Sequence, residues 1–218
     1  MRRRVATGTI TNRAFLVLAL FSLLAVGTAR TSATVLTISD FSSDVTPVEW
    51  LDATLDFSVV GNTLTLEVTN LTGPAGGNPE GSEFDISEIY FNIGAGITDL
   101  TFTDTHWNLT VSRDSLLADA FGLFDVLLDV SNLKKALGSG ETKAFVIGIV
   151  GTGSEADFTS YFSEPHDDDI LSLAAAKFIH GPDDDSAYGD VVPEPMTVGL
   201  LGLGGLFLLL SNRRKGKV

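Results

Sequence analysis

Gly61-Asn62 separates two runs in which apolar residues recur at every second position, and that pattern commits this part of the chain to strands. Leu55, Phe57 and Val59 precede the pair, and Leu64, Leu66 and Val68 follow it. A period of two puts each apolar set on one face of a strand, and a Gly-Asn pair tolerates the positive φ angles of a two-residue hairpin. Further strand candidates are Val35–Phe41, Ile86–Ile93, Ile97–Thr103 and Trp107–Val111. Phe124–Val130 follows, with Phe124, Val126, Leu128 and Val130 on one face and Asp125 and Asp129 opposite. Lys143–Val150 is a more fully apolar run, as expected of a central strand. Turn clusters at Gly73-Pro74-Ala75-Gly76-Gly77, Gly138-Ser139-Gly140 and Gly151-Thr152-Gly153 punctuate the series. Short strands without helices between them predict an all-β fold, an antiparallel β-sandwich of jelly-roll-like type.

The two ends of the chain obey different rules. Arg2-Arg3-Arg4 and Arg13 precede an apolar run, Ala14–Val26, whose 13 residues suit the core of a signal peptide. Small residues follow, and cleavage is expected after Ala29 or Ala33. At the other end, Pro193-Glu194-Pro195 leads into Met196–Leu210, 15 residues without a charge, and then into Arg213-Arg214-Lys215. As a helix that run spans about 22 Å, short of the roughly 30 Å hydrocarbon core of a bilayer. The terminal cations are expected to stay on the cytoplasmic side.

Pro193-Glu194-Pro195, the Leu/Gly-rich span and the terminal Arg cluster together resemble the PEP-CTERM sorting signal of exported bacterial proteins. The resemblance covers only about the last 27 residues. It implies recognition by an exosortase, a transpeptidase-like membrane enzyme, and removal of the tail near the Pro-Glu-Pro. It also implies secretion or surface display, often beside exopolysaccharide or biofilm matrix. The organisation expected is a signal peptide at 1–33, a β-sandwich at 34–185, an exposed linker at 186–192 and the sorting signal at 193–218, with a transmembrane segment at 196–210. Within Asp167–Gly181 the sequence carries helix start and stop signals, yet Leu171, Leu173 and Ala175 alternate as in a strand. A final strand commonly precedes such a sorting signal, so the resemblance favours the strand.

Charge and cysteine content bound the exported part. All 28 acidic residues lie between Asp40 and Glu194, where only five cations stand (Arg113, Lys134, Lys135, Lys143 and Lys177), a net charge of −23. Such a surface repels nucleic acid and anionic polymers and attracts cations. Solubility in salt water accounts for it equally well. There is no cysteine, which leaves an exported domain to its core alone and excludes thiol chemistry.

Signatures of chemistry within the domain are sparse. His166-Asp167-Asp168-Asp169 and Asp183-Asp184-Asp185 are the densest oxygen-ligand clusters and the candidates for Ca²⁺, although neither has EF-hand spacing. Solvated acidic loops are the plain alternative. Trp50 and Trp107 are the candidate glycan contacts, with Tyr90, Tyr161 and Tyr188 also available; the competing expectation is that both tryptophans fill the ends of the core. His106, His166 and His180 are scattered, and no nucleophile elbow, zinc-protease motif or phosphate loop is present. Two Asn-x-Thr sequons, at Asn70 and Asn108, carry no meaning in a bacterium. The expectation is a non-enzymatic protein of the cell surface or extracellular matrix. Its partners would be signal peptidase, an exosortase-like enzyme, the membrane before processing and exopolysaccharide, with no cofactor required. A glycan- or Ca²⁺-binding surface module delivered by the same route is the alternative.

Overall fold

The computed structural model describes residues 33–39, 51–167, 169–180 and 186–191. Ten strands follow one another: β1 (Thr34–Ser39), β2 (Asp52–Val60), β3 (Thr63–Asn70), β4 (Asp85–Phe91), β5 (Ile97–Thr101), β6 (Trp107–Ala118), β7 (Gly122–Val130), β8 (Thr142–Gly151), β9 (Ala174–Ile179) and β10 (Ala187–Asp190). They form two five-stranded sheets, sheet I in the order β1-β2-β3-β8-β5 and sheet II in the order β10-β9-β4-β7-β6. Every pairing is antiparallel. The all-β expectation holds. The signal peptide, the Pro-Glu-Pro motif and the C-terminal apolar run lie outside the described residues.

The alternation seen in the sequence builds the core directly. Leu55, Phe57, Leu64, Leu66 and Val68 of sheet I are fully buried, as are Ile89, Phe91, Val126, Leu128 and Phe178 of sheet II. The two inner faces meet in one hydrophobic cluster. Phe57 of β2 packs edge-on against Phe91 of β4 with ring centroids 5.6 Å apart, which joins the layers in a β-sandwich. Each such side chain contributes about 1.5–3 kcal/mol by leaving water. The hairpin forms where expected: Val60 pairs with Thr63, and Gly61 adopts φ +60°.

The strand runs depart from expectation in instructive places. β8 lies inside sheet I between β3 and β5, as expected. Only Phe145, Ile147 and Ile149 face the core, however, and Val146 and Val150 stand on the open face. β6 continues well beyond Val111, because a bulge absorbs the residues that interrupt its alternation: Val111 pairs with Val126 and Leu116 with Phe124, leaving Ser112–Ser115 against Asp125. Asp114 turns there with φ +49°. The ambiguous segment resolves as a strand, β9, whose alanines fit between its two neighbours.

The stretch read as an exposed linker is instead the last strand. Ala187–Asp190 pairs with β9 along its whole length, and Val191 bridges to Ile38 of β1. Ala187, Asp190 and Val191 are buried. The sequence pattern misled because small residues suffice here: a Cβ added at Gly189 would lie 2.9 Å from Ile38 Cγ2, so this edge closes by near-contact of backbone and core. The folded unit thus extends past residue 185 to Val191.

Candidate functional site

Trp107 is not available for glycan contact. It opens β6, is 3% exposed and packs edge-on against Phe145 with centroids 5.0 Å apart. An indole at the end of a two-sheet core gains more by filling it than by facing water. Trp50 lies outside the described residues. Of the tyrosines, Tyr161 is exposed, Tyr90 is buried and Tyr188 is half-buried.

The acidic turn before β9 engages its own histidine. His166 Nδ1 lies 3.6 Å from both Asp167 Oδ2 and Asp169 Oδ2, and the turn closes through a 3.1 Å hydrogen bond from Asp169 N to His166 O. Asp167 takes φ +53° and its side chain points into solvent. Asp168, Asp183, Asp184 and Asp185 lie outside the described residues. Among the described residues no three His, Asp or Glu side chains converge as a metal site would require. His180 pairs instead with Asp85 at 3.1 Å.

Three groups that the sequence did not single out organise sheet II. The first is a clamp on the β6 bulge. Arg113 donates from Nη1 to Ile93 O (2.9 Å) and from Nη2 to Gly94 O (3.1 Å) and Ile97 O (2.6 Å). Asp125 accepts from the backbone N–H groups of Ile93 (3.0 Å) and Asp114 (2.9 Å). Asn92 holds the other side, accepting from Asp125 N at 3.1 Å. Burial, together with the nearby charges of Asp125 and Glu164, pushes the Asp114 carboxyl above its ordinary range.

The second lies on the outer face of sheet II. Lys177 Nζ reaches Glu88 Oε1 at 3.1 Å, and the Tyr90 hydroxyl donates to Glu88 Oε2. Lys177 also lies over the Tyr188 ring, 5.4 Å from its centroid. Burial and the Glu88 charge raise both tyrosine hydroxyls. For Lys177, burial favours the neutral amine, but the bond to Glu88 outweighs it and the amine titrates above its ordinary value. Tyr90 belongs to a small outer cluster with Phe121, Phe124 and Ala175, capped by the end of the β6–β7 hairpin. The sequence offered Tyr90 and Tyr188 as aromatics but nothing that joined them to Glu88 and Lys177.

The third is Asp190 in β10. It is 4% exposed and its Oδ1 has no hydrogen-bond partner. Burial pushes its carboxyl up to about 6, with hydrogen bonds to Ser172 and to its own backbone amide opposing.

Sheet I presents a different outer face. Thr37, Thr54, Thr69 and Thr142 align in one row across four strands, and Thr69 Oγ1 lies 3.0 Å from Thr142 Oγ1. In the next row Asp56 stands directly opposite Glu67. Exposed valines, Val35 beside Asp56 and Val146 beside Thr65, share this face with the polar rows.

No protein family, no curated protein and no solved structure matches the chain. Among the described residues no helix is long and apolar enough to cross a membrane.

Proposed function

We propose that the chain is an exported, non-enzymatic protein of a bacterial cell surface or extracellular matrix, sorted through its C-terminus by an exosortase-like enzyme. The observation that carries this reading is the order of Pro193-Glu194-Pro195, the uncharged run Met196–Leu210 and Arg213-Arg214-Lys215. An apolar run this short suits a transient hold better than a permanent anchor. The edges of the fold agree with the scheme. Ala33 is exposed and immediately precedes β1, and Val191 closes the last strand two residues before Pro193. Cutting near either point would leave the sandwich whole. We read the sandwich as jelly-roll-like, since the connections β3–β4, β4–β5, β5–β6, β7–β8 and β8–β9 each pass from one sheet to the other.

Intact-mass spectrometry of the protein recovered from the cell surface and the medium tests the reading. The expected mass lacks the signal peptide and the residues after Pro195. A mass that still includes Met196–Val218 in both fractions refutes it and leaves a tail-anchored protein.

A second reading, a glycan-binding module delivered by the same route, rests on Tyr188, which keeps a half-exposed ring beside the Lys177–Glu88 pair. A polysaccharide pull-down in which Tyr188→Ala retains as much as the unaltered domain rejects it.

A further inference from the structure

We infer that β10 is a releasable strap: its pairing with β9 opens as the buried carboxyl of Asp190 gives up its proton, and the opening exposes the residues that precede the processing motif. The consequence for processing rests on the sorting reading above; the strap itself does not.

The geometry makes β10 the easiest strand of sheet II to detach. It is four residues long and stands at the sheet edge. It is held by the pairs from Ala187↔Phe178 to Asp190↔Ala175, by a 3.1 Å hydrogen bond from Val191 N to Ala174 O and the bridge from Val191 to Ile38, by the Tyr188 ring against Lys177 and Tyr90, and by a side-chain hydrogen bond between Ser172 and Asp190. The side chains it contributes to the core are small, Ala187 and Val191, with Gly189 between them. Apart from the half-buried Tyr188 ring, which packs on the Tyr90 cluster, little apolar area returns to water when this short edge strand leaves, so its opening costs less than the loss of a central strand.

Asp190 sets a further cost on keeping it closed. Ala175, opposite on β9, offers no polar group; a side-chain hydrogen bond from Ser172 reaches the carboxyl, and Oδ1 is left without a partner. Tyr90 stands in the same row beyond Ala175 and donates to Glu88, which one row away on the outer face also holds Lys177, with Tyr188 beside it. The segment before β9 brings Ser163 and Ser172, and carries Glu164, His166, Asp167 and Asp169. No charged side chain contributes to the raised titration of Asp190, which comes from burial. A carboxylate buried without a cation is costly, and it keeps its proton or reaches water.

The sign follows from linkage. Closed, the carboxyl binds its proton more tightly than it does in the open strand, so closure is fully stable below the ordinary carboxyl range and weakens as pH rises through about 6. With an ordinary open-state value, the opening constant is expected to rise about tenfold between pH 5 and pH 8. Proteolysis of a transiently open segment follows that opening constant. One residue, Val192, separates Val191 from Pro193 in the sequence, so a closed β10 holds the chain to the sheet almost up to the motif.

Hydrogen exchange of the full chain tests the strap. After correction for intrinsic exchange, the amides of residues 187–191 are expected to lose about tenfold protection between pH 5 and pH 8, while β3 and β8 hold theirs. Asp190→Asn is expected to abolish that pH dependence. An unchanged pH response in Asp190→Asn, or equal protection of 187–191 at both pH values in the unaltered chain, overturns the inference. A second variant leaves Asp190 unaltered and pins the strand: Tyr188→Cys with Lys177→Cys, residues paired in register in a chain that has no cysteine of its own. In host cells the oxidised staple is expected to stop tail removal, and its reduction to restore it. Tail removal that proceeds with the staple closed overturns the gating role. Absence of tail removal from the unaltered protein refutes the sorting reading alone, since hydrogen exchange reads the strap independently.

Discussion

Arg113 and Asp125 meet across the β6 bulge, Nη1 to Oδ2, at 3.4 Å. The ion pair is the lesser part of this contact, because the Arg113 side chain is 44% exposed and solvent screens it. What matters is that three backbone carbonyls around Gly94 end on the guanidinium and two backbone N–H groups end on the carboxylate. Asp125→Ala leaves the buried Ile93 N–H without a partner and releases the Asp114 N–H at the exposed bulge, and is expected to lower stability by about 1–3 kcal/mol. Arg113→Lys is expected to lose much of the same support, since an ammonium cannot reach three carbonyls from one plane. Urea denaturation measures both, and a loss below about 0.5 kcal/mol for Asp125→Ala contradicts the clamp.

Trp107 should behave as core. Trp107→Ala removes a side chain packed on Phe145 and is expected to cost about 3–5 kcal/mol, with Trp107→Phe costing markedly less. A Trp107→Ala domain with unchanged thermal stability would show that the indole is not packed as described.

The hairpin depends on backbone freedom at one position. Gly61 has φ +60° and nothing within 4 Å of an added Cβ, so substitutions there meet strain but no clash. Gly61→Val is expected to destabilise by more than 1–2 kcal/mol, roughly the penalty of a left-handed L-residue, while Gly61→Asn loses only a fraction of that. Melting temperatures of the two variants should differ in that order.

Asp104 gives the domain an acid limb opposite in sign to that of Asp190. Burial would raise its carboxyl, but the N–H groups of His106 and Trp107 and the amine of Lys143 outweigh burial and hold it below the ordinary range. Its contribution is therefore present above the ordinary carboxyl value and disappears as pH falls through the lowered one. Asp104→Asn is expected to lower stability at neutral pH and to flatten the loss of stability as pH falls below the ordinary carboxyl range. A variant whose acid unfolding superimposes on that of the unaltered protein would refute this.

Strand positions were legible where one face alone was buried. β2 and β3 announce themselves by strict alternation, and Gly61-Asn62 fixes the register between them. In β7 the expected single face divides, with Val126, Leu128 and Val130 in the main core and Phe124 in the Tyr90 cluster. Alternation failed where long-range contacts replace it. Asp125 was read as a solvent-side residue because its neighbours Phe124 and Val126 are apolar, yet its carboxylate is drawn inward by amides from Ile93 and Asp114. Nothing local marks that partnership. β10 escaped because Ala187 and Gly189 carry no apolar bulk, and their place in the core is created by Ile38 and Phe178 from distant parts of the chain. The acidic triplet before β9 was visible as composition, but only the fold turns His166 onto two of its carboxylates.

The pairing of β10 with β9 and its bridge to β1 also impose an order of events. Synthesis runs from the N-terminus, so β1 to β9 can assemble while β10 is still inside the ribosome. A half-emerged molecule is therefore a sandwich with one open seam, joining the first strand to the ninth. The seam shuts only when residues up to Val191 have emerged, so the sandwich closes last at the strand that synthesis delivers last among the described residues.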